Sequence, residues 1–260
     1  MHATNGQNPR GLAALWPTRM LTYQKNATGT LGIRISEIYS SRQGEGRLTG
    51  QPSVFVRTSG CNLRCSFCDT PYTSWQPEGQ QQDIDTIMTT IGQHNATHVV
   101  ITGGEPMLPM QMTELTRQIR CQNIHITIET AGTVFRNVDC DLMSISPKMT
   151  NSIPSAGRAG EWSARHNRLR QRSKVVQRLI DSHDYQLKFV VQNEGDIDEL
   201  CEYCDSLSGV ENSKILLMPE GVDLQALQEK KSWLQPICES RGFTYCARMH
   251  IQWYGNTRGT

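Results

Sequence analysis

Short apolar segments alternate with amphipathic segments through most of this chain, and that alternation limits the folds open to it. Apolar stretches of strand length lie at 54–57, 98–102, 124–129, 142–146, 187–191 and 214–218. Between them, apolar side chains recur at helical spacing, as at Ile84, Ile87, Met88 and Ile91 after Asp83. Asp is a favoured helix N-cap, and this spacing gives one apolar helix face. Because strands separated by helices form βαβ units, the sequence predicts an α/β fold with a parallel sheet.

Right-handed crossovers between such strands curl a sheet toward a closed or partial barrel. We therefore expect a partial barrel of six βα units, similar to part of a TIM barrel. In that architecture the C-terminal ends of the strands form the active face. Four polar or glycine-rich segments follow predicted strands, at 61–68, 103–106, 130–133 and 146–148. The sequence therefore predicts that these segments meet at one functional site.

Two parts of the chain depart from the alternation. Residues 1–30 are rich in Asn, Gly, Thr and Gln with little apolar periodicity, which predicts a flexible tail. Met20 is an alternative initiator, and its use would leave residues 1–19 outside the protein. Residues 31–260 are predicted to form a single domain with an insertion near 151–183, where Gly, Ser and Pro are followed by several arginines. Because charge runs are usually solvated, we interpret the insertion as solvent-exposed in preference to a polyanion site.

Charge and cysteine usage narrow the class of protein. In the 260 residues, 26 Lys and Arg face 25 Asp and Glu, and this net charge of +1 gives no reason to expect a nucleic-acid or membrane partner. No apolar run reaches the roughly 18 residues of a membrane-spanning helix. The chain start lacks a signal-peptide pattern, so the nine cysteines indicate a reducing, cytoplasmic setting. Cys201 and Cys204 are spaced as CxxC within a predicted helix, and we interpret them as ordinary half-buried thiols.

The strongest chemical motif is a group of three closely spaced cysteines, Cys61, Cys65 and Cys68. A structural zinc ion takes four protein ligands, whereas three thiolates suit a cubane iron–sulfur cluster with one iron left open. An open iron can hold a substrate or cofactor, so the motif points to chemistry. A non-catalytic iron–sulfur or zinc protein remains the alternative. It would require a fourth protein ligand, for which Cys121 and Cys140 are the candidates.

The cysteine motif, followed by Gly103, Gly104, Glu105 and Pro106 after a predicted strand, resembles the radical S-adenosylmethionine (SAM) superfamily. More narrowly, the chain is similar to the 7-carboxy-7-deazaguanine synthase family of the queuosine and 7-deazapurine pathway. The segments that carry this similarity are 37–39, 43–46, 55–57, 60–63, 68–70, 129–133, 145–148 and 253–259. The resemblance extends from about Ile33 to the C-terminus and leaves out the tail and the insertion. It implies the partial barrel of the radical SAM type.

The resemblance also implies the cofactors and their ligands. A 4Fe–4S cluster would be held by Cys61, Cys65 and Cys68, and its open iron would bind SAM. Other SAM neighbours implied by the family are Phe67, Cys68, Asp69, Gly103, Gly104, Glu105, Ser146, Pro147, Lys148, Leu217, Met218, Pro219 and Glu220. The family uses Mg²⁺ near its substrate, and the matching hydroxyl ligand here is Thr70.

The implied reaction converts 6-carboxy-5,6,7,8-tetrahydropterin to 7-carboxy-7-deazaguanine by SAM-initiated radical ring contraction with loss of ammonia. Arg57 at a strand end is suited to the pterin carboxylate; its alternative role is a structural ion pair. The full set of expected substrate neighbours is Arg42, Gln43, Gly44, Glu45, Arg57, Thr102 and Thr260. Arg42 stands where the family often has an apolar residue. The implied partners are an electron donor such as flavodoxin or ferredoxin and a second copy of the chain in a homodimer.

Another radical SAM function remains open at this point, an activase that generates a glycyl radical on a partner protein. Such an enzyme would need a docking surface for a large substrate. The segments 43–46 and 146–148 argue against it, because they match the deazaguanine synthase pattern.

Overall fold

The computed structural model describes residues 32–260, so the predicted flexible tail and the alternative start at Met20 lie outside the described residues. The strands are β1 (Ile33–Arg42), β2 (Pro52–Thr58), β3 (Gln80–Gln82), β4 (His98–Gly103), β5 (His125–Thr130), β6 (Leu142–Ile145), β7 (Tyr185–Val191), β8 (Ile215–Pro219) and β9 (Thr244–Tyr245). The helices are α1 (Pro71–Ser74), α2 (Ile84–Gln93), α3 (Met112–Cys121), α4 (Ala156–Ala159), α5 (Glu161–Arg170), α6 (Ser173–Ser182), α7 (Asp196–Asp205), α8 (Leu224–Arg241) and α9 (Met249–Tyr254). Short 3-10 turns lie at Thr150–Ser152 and Asn212–Lys214.

In this part of the chain the strands form one nine-stranded sheet in the order β3-β1-β2-β4-β5-β6-β7-β8-β9. Every neighbouring pair from β2 to β9 is parallel. The sheet is open, with β3 and β9 at its edges. The predicted α/β fold with a partial barrel is therefore confirmed.

The first strands differ from the prediction of a purely parallel sheet. β1 pairs antiparallel with both β2 and β3. Residues 43–51 join β1 to β2 without a helix, and a parallel pair requires a crossover of about a dozen residues or more. Antiparallel pairing is therefore the arrangement this short connection allows.

Helix ends follow the signals in the sequence. The Asp83 carboxylate accepts a hydrogen bond of 2.8 Å from the Thr86 main-chain N–H, which caps α2 as predicted. Gly242, with φ of 70°, ends α8 in the left-handed conformation that glycine favours. Helix α2 buries Ile87 and Ile91, and helix α8 buries Leu234, in the core that these helices share with the sheet.

Helices also form after β9 and throughout the insertion. The short helix α9 follows β9. The predicted insertion contains α4, α5 and the amphipathic helix α6, which packs on β6. Across residues 32–260 no helix is both long enough and apolar enough to cross a bilayer.

Candidate active site

A cavity of about 520 Å³ opens at the C-terminal ends of the parallel strands. Its lining includes Arg57 from β2, Gly103 from β4, Thr130 from β5 and Met218 from β8. The C-terminal ends of parallel strands lie at one edge of a sheet, so segments far apart in sequence meet there. All four segments that the sequence predicted to meet contribute to the lining.

Most side chains selected from the sequence line this cavity. They are Arg42, Gln43, Gly44, Glu45, Arg57, Cys61, Cys65, Phe67, Cys68, Asp69, Thr70, Thr102, Gly103, Gly104, Ser146, Lys148, Met218, Glu220 and Thr260. Glu105, Pro147, Leu217 and Pro219 do not line it. Leu217 is fully buried in the hydrophobic core, because side chains of a strand alternate between its two faces.

Gly103 and Gly104 allow the main chain at the end of β4 to lie against Thr58 and Gly60, which lead from β2 into the cluster loop. We define the cluster loop as residues 61–68. A Cβ atom on Gly103 would lie 2.1 Å from the Thr58 carbonyl oxygen. A Cβ atom on Gly104 would lie 2.2 Å from the Gly60 carbonyl oxygen. Gly103 also has φ of +122°, which disfavours any side chain. The two glycines are therefore required by main-chain packing, whatever ligand approaches them.

Glu105 is buried beneath the cavity and braces the turn after β5. Its Oε1 accepts hydrogen bonds from the Thr130 hydroxyl at 2.7 Å and the Met107 N–H at 3.1 Å. Its Oε2 accepts from the Ala131 N–H at 3.0 Å and the Thr133 hydroxyl at 3.3 Å. Burial raises the pKa of this carboxyl, and these donors oppose the rise. In this structure Glu105 therefore serves the protein's own turn, and its predicted contact with SAM stays a prediction.

The three cysteines of the cluster loop lie on the cavity wall between β2 and α1. Cys68 Sγ is 3.2 Å from the Ser74 hydroxyl, and Cys61 Sγ accepts from the Leu63 N–H at 3.4 Å. Trp75 Nε1 donates to the Cys65 carbonyl over 3.1 Å. Several side chains and main-chain groups therefore hold the loop in one conformation.

Burial raises the pKa of the Cys65 thiol to about 12, opposed by Lys148 and reinforced by Cys68. Burial also raises the pKa of Cys61, and the charge of Glu105 adds to the rise. Thiolates in such surroundings need a compensating positive charge. The irons of a 4Fe–4S cluster provide that charge, so this donor set fits the cluster.

The fourth ligand that a structural zinc site would require does not come from Cys121 or Cys140. Cys121 is exposed at the end of α3, and Cys140 Sγ donates to the Ile126 carbonyl. Neither residue lines the cavity. Within residues 32–260, no three His, Cys, Asp or Glu side chains converge as ligands of a single metal ion.

Arg57 forms the centre of a polar group at one side of the cavity. Its Nε donates to Glu37 Oε1 at 2.6 Å, and its Nη2 donates to the Tyr39 hydroxyl at 2.5 Å. Glu37 also accepts from the Tyr72 hydroxyl at 3.0 Å. Burial by itself would lower the Arg57 pKa, but Tyr39, Tyr72 and Glu37 outweigh it and raise that pKa. The guanidinium therefore stays charged at the cavity wall.

Glu45 lies in a second charged group, formed with basic side chains from distant parts of the chain. Its carboxylate is bonded to Lys188 of β7 and lies 3.4 Å from Arg248 Nε and 3.8 Å from His250 Nδ1. Burial would raise the pKa of Glu45, but Lys188 and Arg248 hold it well below its usual range. Arg248 also donates to Asp69 over 2.6 Å. It therefore connects the Gln43–Glu45 turn to the residue after Cys68.

Glu129 at the end of β5 joins two of the predicted substrate residues. Its Oε1 accepts from Gln43 Nε2 at 3.1 Å, and its Oε2 accepts from the Thr102 hydroxyl at 2.8 Å. Thr70 lies beside the cluster loop, with its hydroxyl 3.9 Å from Cys68 Sγ. Thr260 lines the cavity with the rest of the C-terminal segment 256–260.

Sequence reasoning did not select five acidic or basic residues that line the cavity: Glu129, Lys188, Arg248, His250 and Arg258. The sequence could have indicated Lys188, because a lysine inside an apolar strand is rarely buried without a partner. The sequence could also have indicated Glu129, since it ends a predicted strand at the edge of the sheet where the site was expected. Arg248 and His250 lie around the start of the short helix α9, where no periodic pattern indicated them.

A sequence profile of the Radical SAM superfamily matches residues 55–185 of the chain. That region includes the cluster loop and strands β4 to β6, together with the glycine-rich end of β4. Fold, cysteine spacing and profile together define a radical SAM enzyme, a class that uses a 4Fe–4S cluster and SAM.

Comparison with individual proteins identifies the family of this chain within the superfamily. A 7-carboxy-7-deazaguanine synthase of Rhodopirellula baltica is 45% identical over 229 residues, which is 88% of this chain and 89% of that protein. The enzyme of the same name from Halobacterium salinarum is 38% identical, over 84% of this chain and 89% of that protein. The chain belongs to the 7-carboxy-7-deazaguanine synthase family of radical SAM lyases.

A solved structure supports the fold independently. The crystal structure of QueE from Escherichia coli matches with a TM-score of 0.63 and 24% sequence identity. The match covers 86% of this chain and 96% of that one. At this identity the likeness shows the common fold.

Proposed function

We propose that this enzyme converts 6-carboxy-5,6,7,8-tetrahydropterin to 7-carboxy-7-deazaguanine, by SAM-initiated radical ring contraction with loss of ammonia. The observation that carries the proposal is the set of side chains that line one cavity. Its wall combines the three thiols of the cluster loop with the charged groups around Arg57 and Glu45. Its volume of about 520 Å³ lies in the range of small-molecule sites.

The cysteines Cys61, Cys65 and Cys68 would hold the 4Fe–4S cluster, with SAM on the open iron. When bound and reduced, this pair supplies a 5′-deoxyadenosyl radical, so the protein's task is placement. The main chain at Gly103 and Gly104 would face the methionine part of SAM, and Phe67, Ser146 and Met218 would line its adenosine. Lys148 donates to the Ser146 hydroxyl over 2.6 Å, which orients that hydroxyl at the cavity wall.

The substrate would bind between the two charged groups. Arg57 keeps one nitrogen, Nη1, without a hydrogen bond to residues 32–260, and this nitrogen is suited to the pterin carboxylate. Gln43 and Glu45 would bond the amide and amino edge of the pterin. Thr70 would supply a hydroxyl ligand to a Mg²⁺ ion that keeps waters and takes substrate oxygens.

The proposal also includes an external one-electron donor such as flavodoxin or ferredoxin, a homodimer and a cytoplasmic location. The family resemblance supports the donor and the homodimer. The nine cysteines support the location.

The test is an anaerobic reconstitution of the cluster followed by reduction with dithionite. SAM is then added with and without the carboxytetrahydropterin, and products are measured by mass spectrometry. We expect 5′-deoxyadenosine and 7-carboxy-7-deazaguanine to form together, faster with Mg²⁺. SAM cleavage without pterin turnover would overturn the proposed substrate and favour the activase. A Cys65→Ala variant that kept its cluster and full activity would overturn the ligand assignment.

A further inference from the structure

The inserted segment, which the proposed function does not use, packs directly on the cluster loop. Ser66, between two of the cysteines, donates its N–H to the Ser152 carbonyl at 2.9 Å and its hydroxyl to the Asn151 carbonyl at 2.9 Å. Arg158 of α4 donates to the Ser66 carbonyl over 2.7 Å. The Arg64 guanidinium stacks on Trp162 of α5, 3.9 Å from the ring centre. The insertion therefore contacts the loop both between Cys61 and Cys65 and between Cys65 and Cys68.

A fully buried histidine lies at the centre of these contacts. The main-chain N–H of Arg64 donates to His166 Nδ1 over 3.0 Å. The other ring nitrogen, Nε2, lies 3.0 Å from the Ser152 hydroxyl oxygen. That hydroxyl donates to the Met149 carbonyl over 2.6 Å. Both His166 and Ser152 are 0% exposed.

These bonds determine the protonation of the ring. The one proton of the Ser152 hydroxyl goes to Met149, so Nε2 of His166 must carry the proton that it shares with Ser152. Nδ1 must then be the acceptor for the Arg64 N–H. A neutral imidazole with its proton on Nε2 therefore satisfies every group in the chain of bonds.

The position of the Arg64 amide explains why this bond matters. Arg64 precedes Cys65 directly and follows Cys61 by three residues, in a loop that forms neither a helix nor a strand. The conformation of such a loop depends on bonds from its surroundings, and an unpaired buried N–H is costly. Removal of a group that orients metal ligands without binding the metal itself typically changes the metal affinity of the site.

We propose that His166 is a positioning residue of the iron–sulfur site. From the inserted helix α5, it holds the Arg64 amide and so keeps Cys61 and Cys65 at the separation that the cluster requires. The inference rests on the proposed function in one respect, the assignment of the three cysteines as cluster ligands. It gives the insertion a role at the active site.

The test compares wild type with His166→Ala and His166→Asn. Asparagine places its amide oxygen near the position of Nδ1, so it keeps the acceptor for Arg64, whereas alanine removes it. Arg168→Ala is the matched control, since it changes an exposed side chain of the same helix. In the cluster-free chain, hydrogen exchange of the Arg64 amide is measured. In the reconstituted protein, iron release to a chelator and the paramagnetic resonance spectrum of the reduced cluster are measured.

We expect His166→Ala to expose the Arg64 amide to exchange and to speed iron release by about 10- to 100-fold, the range for such supporting groups. Its resonance spectrum should also respond to SAM differently from wild type. His166→Asn should restore protection and iron retention most of the way, and Arg168→Ala should match wild type. If His166→Ala does not fold, Ser152→Ala removes only the support of the ring and should give a smaller change in the same direction.

Equal iron release in wild type and in His166→Ala, or in wild type and Ser152→Ala where only that variant folds, would overturn the proposal. So would an asparagine variant that behaves like alanine. Failure of the proposed function would look different. In that case wild type would bind no cluster, or turn over no pterin, with His166 intact.

Discussion

The Nε atom of Arg57 donates to Oε1 of Glu37 across 2.6 Å, while the same guanidinium lines the active-site cavity. The structural ion pair and the substrate contact considered for Arg57 are therefore compatible. Glu37 also accepts from Arg258 Nε at 3.0 Å on its second oxygen, Oε2. One half-buried carboxylate thus connects the arginine at the end of β2 to the C-terminal segment that lines the same cavity.

Glu37→Gln should weaken the hold on both arginines. The neutral amide loses the charge-assisted bonds, so Arg57 becomes freer to leave its position at the cavity wall. We expect kcat/KM for the pterin to fall by about tenfold, mostly through a higher KM. Steady-state kinetics with dithionite as reductant measure this.

Glu78→Gln is the matched control for this variant. Glu78 pairs with Arg258 at 3.0 Å but makes no bond to Arg57, and both partners are exposed. Exposed ion pairs contribute roughly 0–1 kcal/mol. An equal loss of kcat/KM in both variants would show that Glu37 does not act through Arg57.

Gly103→Ala should destabilise the protein strongly even without cofactors. The new methyl group would meet the Thr58 carbonyl oxygen at 2.1 Å, and the residue would be held at positive φ. We expect a loss of more than about 2 kcal/mol in the free energy of unfolding. Urea denaturation of the cluster-free chain measures it.

The control for this change is Gly92→Ala in α2. Apart from its chain neighbours and the main chain of α2, no atom of residues 32–260 lies within 4 Å of the Cβ that would be added there. Alanine is the better helix former, so stability should rise by about 0.5–1 kcal/mol. A Gly103→Ala variant as stable as wild type would contradict the main-chain packing described above.

Lys188→Met should be costly because it removes one partner of a buried ion pair. The Glu45 carboxylate would keep only Arg248 and His250, and its pKa should rise. We expect a loss of about 3 kcal/mol in the free energy of unfolding. Lys214→Met, which breaks pairs of the half-buried Lys214 with the exposed Glu211 and Asp184, should cost less than about 1 kcal/mol. Equal costs for the two substitutions would refute the buried pairing.

The stability of the cluster-free chain should depend on pH through His166. Burial, together with Arg170 and Lys148, lowers the pKa of His166 from 6.5 to about 4. Below the unfolded value the unfolded chain binds a proton that the folded chain does not, so this contribution is complete above pH 6.5 and declines toward pH 4. At about pH 5 the decline should be on the order of 1–2 kcal/mol. The stability difference between wild type and His166→Asn should narrow over this window, and a constant difference would contradict the assignment.

The sequence by itself determined the features that depend on local pattern. Apolar period and capping residues such as Asp83 specified the strands and helices, because these signals act within a few residues. The spacing of Cys61, Cys65 and Cys68 indicated a candidate cluster ligand set for the same reason. Most of the residues that the family resemblance then selected line the cavity.

Only the tertiary structure decided which groups meet across long separations. Lys188 reaches Glu45 from 143 positions away, and His166 reaches the Arg64 amide from 102 positions away. Glu105, selected as a SAM neighbour, also braces the Thr130 turn. Such contacts leave no periodic trace in the sequence, because they arise from the burial of charged and polar groups that must find partners wherever the fold brings them.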